Sequence, residues 1–164
     1  REAFANAIKT DDLVVVSPDV GGVVRAQSYT KRLTKGADLA VINKEREIPN
    51  RIAKMNLIGD VKGKVALIID DMADTCGTLA SAAKLLVESG ADEVYAATTH
   101  GLLSGDAMKT IDESPIKKCF VTVTISADRP LSSKIEVVSV AEVFAEAIKR
   151  IEAGESLSEL FETE

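Results

Sequence analysis

The residues best suited to chemistry lie in one segment that joins an apolar run to a helical pattern. The run Val65–Ile69 ends in two adjacent carboxylates, Asp70 and Asp71. Paired carboxylates suit vicinal sugar hydroxyls or a hydrated divalent metal. The loop that follows offers hydroxyls, a glycine and backbone N–H groups at a helix start, which suit a phosphate dianion. Its members are Asp74, Thr75, Cys76, Gly77 and Thr78.

Two readings of this segment compete. Turns with acidic helix-capping residues at strand ends are common. A cap needs one Asp or Thr, however, and this segment holds three Asp, two Thr and a glycine. We therefore predict a sugar-phosphate site. Cys76 lies near a helix N-terminus, which can lower a thiol pKa, but its loop position is set mainly by its backbone, so we predict no nucleophile there.

A second glycine-bearing loop, Ser17–Gly22, follows the first apolar run and precedes a helical pattern. Gly21 and Gly22 permit close backbone approach to a ligand, with N–H groups exposed for an anion. Asp19 is a candidate Mg²⁺ ligand, because Mg²⁺ favours oxygen and phosphate partners. The alternative is a turn in which the Asp side chain bonds its own backbone. The presence of two such loops favours a ligand site.

The charged segment Asn43–Asn56 reads as a long loop between elements. Lys44 and Arg46 at its start could close over phosphates and stabilise transition-state charge. A solvated loop is the alternative and the commoner case. His100, the one histidine, could act as a general base or metal ligand, but a lone strand-end histidine is more often structural.

Six apolar runs alternate with helix-like segments, which predicts an α/β fold with three layers and a mainly parallel, twisted sheet flanked by helices. The ligand edge of such a sheet is the carboxyl end of its strands. The predicted strands are Leu13–Val16, Leu39–Ile42, Val65–Ile69, Val94–Thr98, Cys119–Ile125 and Ile135–Val140, with a further short strand within Leu57–Lys64. The predicted helices are Gly22–Leu33, Leu79–Ser89, which Gly90 terminates, and Ala141–Ile151.

Composition narrows the class of protein. The 164 residues fit one domain, residues 1–164, with 46% hydrophobic content. A net charge of −6 argues against nucleic-acid binding, and 4% aromatic content supplies few stacking platforms for bases. No run approaches the length of a membrane span. The two cysteines lack metal-type spacing, which indicates a reducing, cytoplasmic setting.

Together these segments resemble a known family. The segment Asp70–Thr78 resembles the phosphoribosyl-pyrophosphate (PRPP) binding motif of type I phosphoribosyltransferases, and more closely that of the ribose-phosphate pyrophosphokinases, or PRPP synthetases. Segments similar to that enzyme family cover nearly the whole chain in the same order. They are Pro18–Gly22, Asn43–Arg46, Asp70–Thr78, Thr99–Gly105 and Gly154–Phe161.

The resemblance implies Mg²⁺-dependent transfer of the diphosphoryl group of ATP to ribose 5-phosphate, giving PRPP and AMP. It implies that loop 74–78 binds the 5-phosphate, that Asp70 and Asp71 bind the ribose hydroxyls, and that Asp19 with Gly21 and Gly22 holds Mg²⁺ and the pyrophosphate. Lys44 and Arg46 become the cations of a flexible catalytic loop. Residues implied in a phosphate or ADP regulatory site are Ser156, Ser158 and Phe161, although a capped terminal helix also explains that tail.

The resemblance also implies a two-domain protein, of which this chain matches the C-terminal domain. It further implies that the full-length protein forms a homo-oligomer, a hexamer. We therefore expect this chain alone to bind ribose 5-phosphate or PRPP weakly and to lack synthetase activity. Two alternatives stay open: a phosphoribosyltransferase that joins PRPP to a base, and a non-catalytic regulatory subunit associated with a synthetase.

Overall fold

Alternating apolar and amphipathic segments form an α/β domain with seven strands and four helices in the part of the chain that the structure describes. The structure is a computed structural model that describes residues 8, 12–33, 36–45, 54–126 and 129–160. The strands are β1 (Leu13–Ser17), β2 (Asp38–Glu45), β3 (Lys54–Ile58), β4 (Val65–Ala73), β5 (Glu93–Gly101), β6 (Ile116–Thr122) and β7 (Ile135–Val138). The helices are α1 (Val23–Leu33), α2 (Gly77–Glu88), α3 (Ala107–Glu113) and α4 (Ala141–Ala153), followed by a 3-10 turn (Ser158–Leu160).

One sheet with the order β3-β2-β1-β4-β5-β6-β7 runs through the domain. Neighbouring strands pair in parallel except β2 and β3, which are antiparallel. The apolar runs of the central strands are buried on both faces, as parallel strands between helical layers must be. All five residues of β1, Leu13–Ser17, are buried. The predicted fold class, a three-layer and mainly parallel α/β sheet, is confirmed.

The core divides into two layers, one on each face of the sheet. On one face Leu79, Ala82 and Leu86 of α2 pack with Val14 and Ile68 of the central strands. The opposite face has its own buried cluster, which includes residues of β1, β4, β5, β6 and α1: Leu13, Val15, Ala26, Leu67, Ile69, Tyr95, Ala97 and Phe120. This packing holds the carboxyl ends of β1 and β4 in fixed positions.

The predicted loop Asn43–Asn56 is partly wrong, because its two ends are strands. β2 continues through Glu45, and Lys44 pairs in register with Met55 of β3. Val41 pairs with Ser17 at the end of β1, so β2 and β3 continue past the sheet as a two-stranded ribbon. Antiparallel pairing satisfies the backbone hydrogen-bonding groups of both strands whatever their side chains are. The charged residues of this segment therefore do not indicate the two strands at its ends. Residues 46–53 of the predicted loop lie outside the described residues.

Two further predictions need correction. The strand predicted at Cys119–Ile125 spans Ile116–Thr122, because β6 pairs with β5 from Ile116 onward. Lys117 and Lys118 interrupt the apolar pattern there, and they form ion pairs with glutamates of the flanking strands. Helix α3, which the sequence pattern does not predict, buries only a short face, formed by Ala107 and Ile111.

Helix α4 differs from the other helices in that none of its residues is buried. Its apolar side chains Val143, Phe144, Ile148 and Ile151 are each about 60% exposed. Gly154 ends the helix with a positive φ of 69°, which an L side chain rarely adopts. Among the described residues, no helix is both long and apolar enough to cross a membrane.

Candidate functional site

The candidate site lies at the carboxyl ends of β1 and β4, which are neighbours in the sheet. From this pair the chain order runs outward in opposite directions, to β2 and β3 on one side and to β5, β6 and β7 on the other. Such a reversal of strand order opens a crevice at the carboxyl ends, where ligands bind in open α/β sheets. Both predicted loops, residues 17–22 and 74–78, leave strands at this crevice.

The first loop is tightly built around Asp19. Its Oδ1 atom accepts a hydrogen bond from the Gly22 N–H at 2.8 Å, and the Ser17 hydroxyl donates to the Asp19 carbonyl at 2.7 Å. A Cβ atom on Gly22 would lie 2.7 Å from the Ser17 Oγ, so this position requires glycine. The Asp side chain thus bonds its own backbone, as the turn interpretation predicts, and it remains exposed to solvent at the ligand edge.

Asp70 and Asp71 share one cation that the sequence pattern does not predict. Arg25 on α1 places Nη2 2.8 Å from Asp71 Oδ2 and Nη1 3.4 Å from Asp70 Oδ1. The Asp71 N–H also donates to Asp70 Oδ1 at 2.9 Å. The Asp70 side chain is 17% exposed and that of Asp71 62%. The guanidinium therefore joins the first loop's helix to the carboxylate pair.

The pKa values of the two carboxyl groups are shifted in opposite directions. Burial raises the pKa of Asp70, and the nearby negative charges of Asp71 and Asp19 raise it further against the hydrogen bond from the Asp71 N–H. Slight burial opposes the change at Asp71, but the hydrogen bond with Asp70 and the charge of Arg25 lower its pKa. The negative charge of Asp19 is the smallest of the causes that raise the pKa of Asp70.

The second loop leads from β4 into α2 through a strained residue. Cys76 has φ 63° and ψ 5°, the left-handed region that non-glycine residues seldom occupy. The N–H groups in the first turn of a helix have no carbonyl partners within the helix, and Cys76 at the N-cap makes no side-chain hydrogen bond to them. Thr75, Gly77 and Thr78 are exposed. The loop can thus present amides and hydroxyls to an anion.

Cys76 itself offers no nucleophile at this helix start. Burial raises the pKa of its thiol to about 11, and the negative charge of Asp74 adds to the rise. The pKa of the Cys76 thiol is therefore raised, and not lowered as the start of a helix can do. Cys119 is also buried, which raises its pKa to about 12. Both cysteines are free and buried, and Cys76 contributes backbone geometry.

A third loop, residues 102–106, meets the second one and was not predicted as part of the site. The Ser104 hydroxyl donates a hydrogen bond to Asp74 Oδ1, and the Leu103 N–H donates to the Ala73 carbonyl at 2.9 Å. These contacts join residues about 30 positions apart in sequence. They direct the Asp74 carboxylate to Ser104.

Of the remaining candidate residues, Lys44 and His100 belong to strands and not to the two loops. Lys44 belongs to the ribbon of β2 and β3, three residues beyond the point where β2 leaves β1, or about 10 Å along the strand. Arg46 lies outside the described residues. His100 Nδ1 is 2.9 Å from the Thr124 hydroxyl oxygen, which fits the structural interpretation given above.

The C-terminal tail forms a local hydrogen-bonded turn. Arg150 Nη1 donates to the Ser156 carbonyl at 3.0 Å and to Glu159 Oε2 at 2.7 Å. The Ser158 N–H donates to the Ser156 hydroxyl oxygen at 3.2 Å. These contacts cap the end of α4 as the simpler interpretation of the tail predicts. Phe161, the third predicted regulatory residue, lies outside the described residues.

Comparison with known proteins decides the family. The model of the phosphoribosyl synthetase-associated domain matches residues 40–162, three quarters of the chain. The chain belongs to this family. The stretch matched by the phosphoribosyl synthetase-associated domain includes the carboxylate pair, the second loop and the tail, and it confirms the resemblance inferred from the sequence.

Curated relatives carry the comparison further. The chain is 53% identical to ribose-phosphate pyrophosphokinase 2 of Schizosaccharomyces pombe over 150 residues, which are 90% of this chain and 46% of that protein. It is 51% identical to ribose-phosphate pyrophosphokinase A of Dictyostelium discoideum over 150 residues, 90% of this chain and 47% of the relative. The chain spans about half the length of the curated relatives it matches.

Solved structures agree on the fold. The crystal structure of phosphoribosylpyrophosphate synthetase from Mycobacterium smegmatis matches with a TM-score of 0.79 at 37% identity, covering 93% of this chain and 48% of that one. An APRTase from Giardia lamblia shares the fold, with a TM-score of 0.57 at 17% identity, covering 73% of this chain and 74% of that one. The fold of this chain is therefore also found in a protein of low sequence identity.

Proposed function

We propose that this chain forms the ribose 5-phosphate and diphosphate half of a ribose-phosphate pyrophosphokinase. The observation that carries the proposal is the meeting of two ligand loops at the β1–β4 crevice, where Arg25 spans from α1 to the paired carboxylates. The names of the relatives suggest the class of reaction, diphosphoryl transfer to ribose 5-phosphate. The carboxylates and amides at the crevice are groups that suit such a substrate.

The second loop suits the phosphate end of ribose 5-phosphate. The amides of the first turn of α2 and the hydroxyls of Thr75 and Thr78 would bind the dianion, with Gly77 admitting it closely. Asp70 and Asp71 would accept hydrogen bonds from the ribose 2- and 3-hydroxyls. Each carboxylate has two oxygens and can accept from a hydroxyl while keeping its contact with Arg25.

Asp19 and its glycine loop suit a magnesium diphosphate. Among the described residues, no three His, Cys, Asp or Glu side chains group into a site for a metal. Mg²⁺ is usually bound by one or two carboxylates together with substrate phosphates and water, so one exposed carboxylate fits this ion. Asp19 would hold it beside the Gly21 and Gly22 amides. When bound, Mg²⁺ supplies neutralisation of phosphate charge.

In the proposed reaction the anomeric hydroxyl oxygen of ribose 5-phosphate attacks the β-phosphorus of ATP. A new oxygen–phosphorus bond forms, the bond from the β-phosphorus to the oxygen bridging the α-phosphate breaks, and AMP leaves. The hydroxyl proton is released to solvent. Such a transfer depends on alignment and charge neutralisation. The first and second loops supply the alignment, and Lys44 and Arg46 are the proposed cations for the developing charge.

The whole protein has further proposed properties. Since this chain spans about half of its relatives, the other half would bind most of the ATP, and we expect no synthetase activity from the 164 residues alone. Ser156, Ser158 and Phe161 would contribute to a phosphate or ADP regulatory site between subunits of a homo-oligomer, a hexamer by analogy. A reducing cytoplasm suits the two free, buried cysteines.

Replacing Lys44 with Ala in the protein at its natural length tests the proposal. We expect kcat for AMP formation to fall roughly 10²–10³-fold, the usual cost of losing a charge-stabilising group, with ribose 5-phosphate affinity within twofold of the parent. Lys84→Ala, on the exposed face of α2, is the control and should leave both unchanged. A change in affinity without a change in rate would contradict the role of Lys44.

The product distinguishes the rival activities. A synthetase forms AMP from ATP and ribose 5-phosphate, whereas a phosphoribosyltransferase releases pyrophosphate from PRPP and a base. A regulatory subunit does neither. Robust AMP production by the 164-residue chain alone would contradict its assignment as half of the active site.

A further inference from the structure

The Asp74 carboxylate poses a problem for a loop that binds phosphate. A carboxylate and a phosphate dianion repel each other, and the repulsion is stronger near a protein surface than in bulk water. Asp74 lies two residues before Cys76, which is the N-cap residue of α2. For the loop to bind a dianion, the Asp74 carboxylate must be held away from the anion.

Ser104 provides a partner that does this. Its hydroxyl donates to Asp74 Oδ1, so the carboxylate is engaged by the third loop. One residue earlier in each loop, the Leu103 N–H donates to the Ala73 carbonyl at 2.9 Å. The two loops are thus joined by one backbone and one side-chain hydrogen bond at the exact start of the proposed phosphate loop.

The third loop is itself held firmly. Leu103 is 2% exposed and has a φ of 54°, a left-handed conformation that a non-glycine residue keeps only where its surroundings impose it. Arg129 Nη2 donates to the carbonyls of Leu102 and Leu103. The Leu103 side chain is buried in the core, so the loop is held by both its backbone and its side chain.

We propose that Ser104 is a positioning residue that holds the Asp74 carboxylate away from the bound 5-phosphate and fixes the start of the phosphate loop. The proposal rests on the proposed function of that loop. Ser104 touches no substrate in this scheme, and its effect is electrostatic as well as structural. Losing the hydroxyl frees a negative charge beside the anion.

The test compares Ser104→Ala with its rescue and a matched control. In the natural-length protein we expect Ser104→Ala to raise the KM for ribose 5-phosphate about tenfold, with kcat within twofold, because a hydrogen bond to a charged group is lost. Ser104→Thr keeps the hydroxyl and should stay within twofold of the parent. Ser132→Ala removes a similar Ser–Asp hydrogen bond, to Asp112 Oδ1, between residues that belong to none of the three loops, and should change neither constant.

A second variant separates repulsion from general damage. In Asp74→Ala the charge is gone, so adding Ser104→Ala to it should change KM by less than twofold. A full tenfold effect in that background would overturn the electrostatic role. An unchanged KM in Ser104→Ala itself would overturn the proposal.

Hydrogen exchange of the free protein separates this proposal from the proposed function. Without ligand, Ser104→Ala should speed exchange of the Leu103 amide, whose hydrogen bond to the Ala73 carbonyl joins the two loops, and leave α1 unchanged; equal exchange in both proteins overturns the positioning role. Failure of the parent protein to bind ribose 5-phosphate would instead contradict the proposed function, while the exchange result still decides whether Ser104 positions the loop.

Discussion

The chemistry of the site depends on how single charges are placed at the crevice. Arg25 contacts carboxylates 45 and 46 positions away in sequence, and Ser104 contacts Asp74 across 30. Neither contact follows from a local pattern, since Arg25 lies within a predicted helix and Ser104 lies in the segment Thr99–Gly105, to which the resemblance assigned no role. Asp19, Asp70 and Asp71 could be predicted because strand ends mark the ligand edge.

Because the pKa values of Asp70 and Asp71 are shifted in opposite directions, we predict that neutralising each residue changes the stability of the fold in opposite directions. Because the folded-state pKa of Asp70 is raised above its ordinary 3.8, the stability that its protonated form contributes is lost as pH rises through the raised pKa. Asp70→Asn should therefore raise the Tm at pH 7, and the gain should vanish as pH falls toward 3.8. The pKa of Asp71 is lowered, so its charge stabilises at pH 7 and Asp71→Asn should lower the Tm.

Thermal unfolding of both variants from pH 4 to 8 checks this prediction, and each variant serves as the control for the other. A lower Tm for Asp70→Asn at pH 7 would show that burial of its charge is fully compensated by Arg25. Both substitutions should weaken ribose 5-phosphate binding, because an amide replaces one carboxylate oxygen with a donor.

At the scale of elements, the starts of α1 and α2 differ in whether they have room for a side chain in place of glycine. At Gly22 an added Cβ would lie 2.7 Å from the buried Ser17 Oγ, which must then give up its bond to the Asp19 carbonyl. At Gly77 the nearest such atom is 3.8 Å away, an ordinary contact. The left-handed residue of the second loop is Cys76, so the turn itself does not require glycine at position 77.

Gly22→Ala should therefore lower the free energy of unfolding by about 1–3 kcal/mol, the usual cost of overpacking. Gly77→Ala should leave it unchanged or raise it by up to about 1 kcal/mol, because Ala favours helix over Gly. Urea unfolding of the two variants measures both. Equal destabilisation would mean that the phosphate loop has steric limits that the structure does not show.

Elements with strong apolar periodicity could be predicted from the sequence, and those that depend on pairing could not. β4 and α2 follow from the run Val65–Ile69 and from the helical spacing of Leu79, Ala82 and Leu86. In the ribbon of β2 and β3 the apolar residues Ile42, Met55 and Leu57 are interspersed with polar and charged ones, so only the pairing of the two strands reveals it. Helix α3 is too short for its two buried residues to form a period.

At the scale of the whole molecule, the described part of the chain combines a crevice at the carboxyl ends of β1 and β4 with one α-helix, α4, that buries no residue. The sheet order brings both predicted loops to the switch point, so the whole fold defines the site. Helix α4 leaves Phe144 and Ile148 about 60% exposed, and the chain spans about half of its curated relatives. Both observations agree with a domain that works beside a second one, as the proposed function requires.

The central claim is that ribose 5-phosphate binds at the crevice between the loops of β1 and β4. Backbone amide NMR of the 164-residue chain, titrated with ribose 5-phosphate, tests it most directly, because amide shifts report even weak binding residue by residue. We predict saturable shifts concentrated at residues 70–71 and 74–78, with smaller ones at 19–22. A titration that leaves these amides unmoved, or that moves only residues elsewhere, would contradict the account.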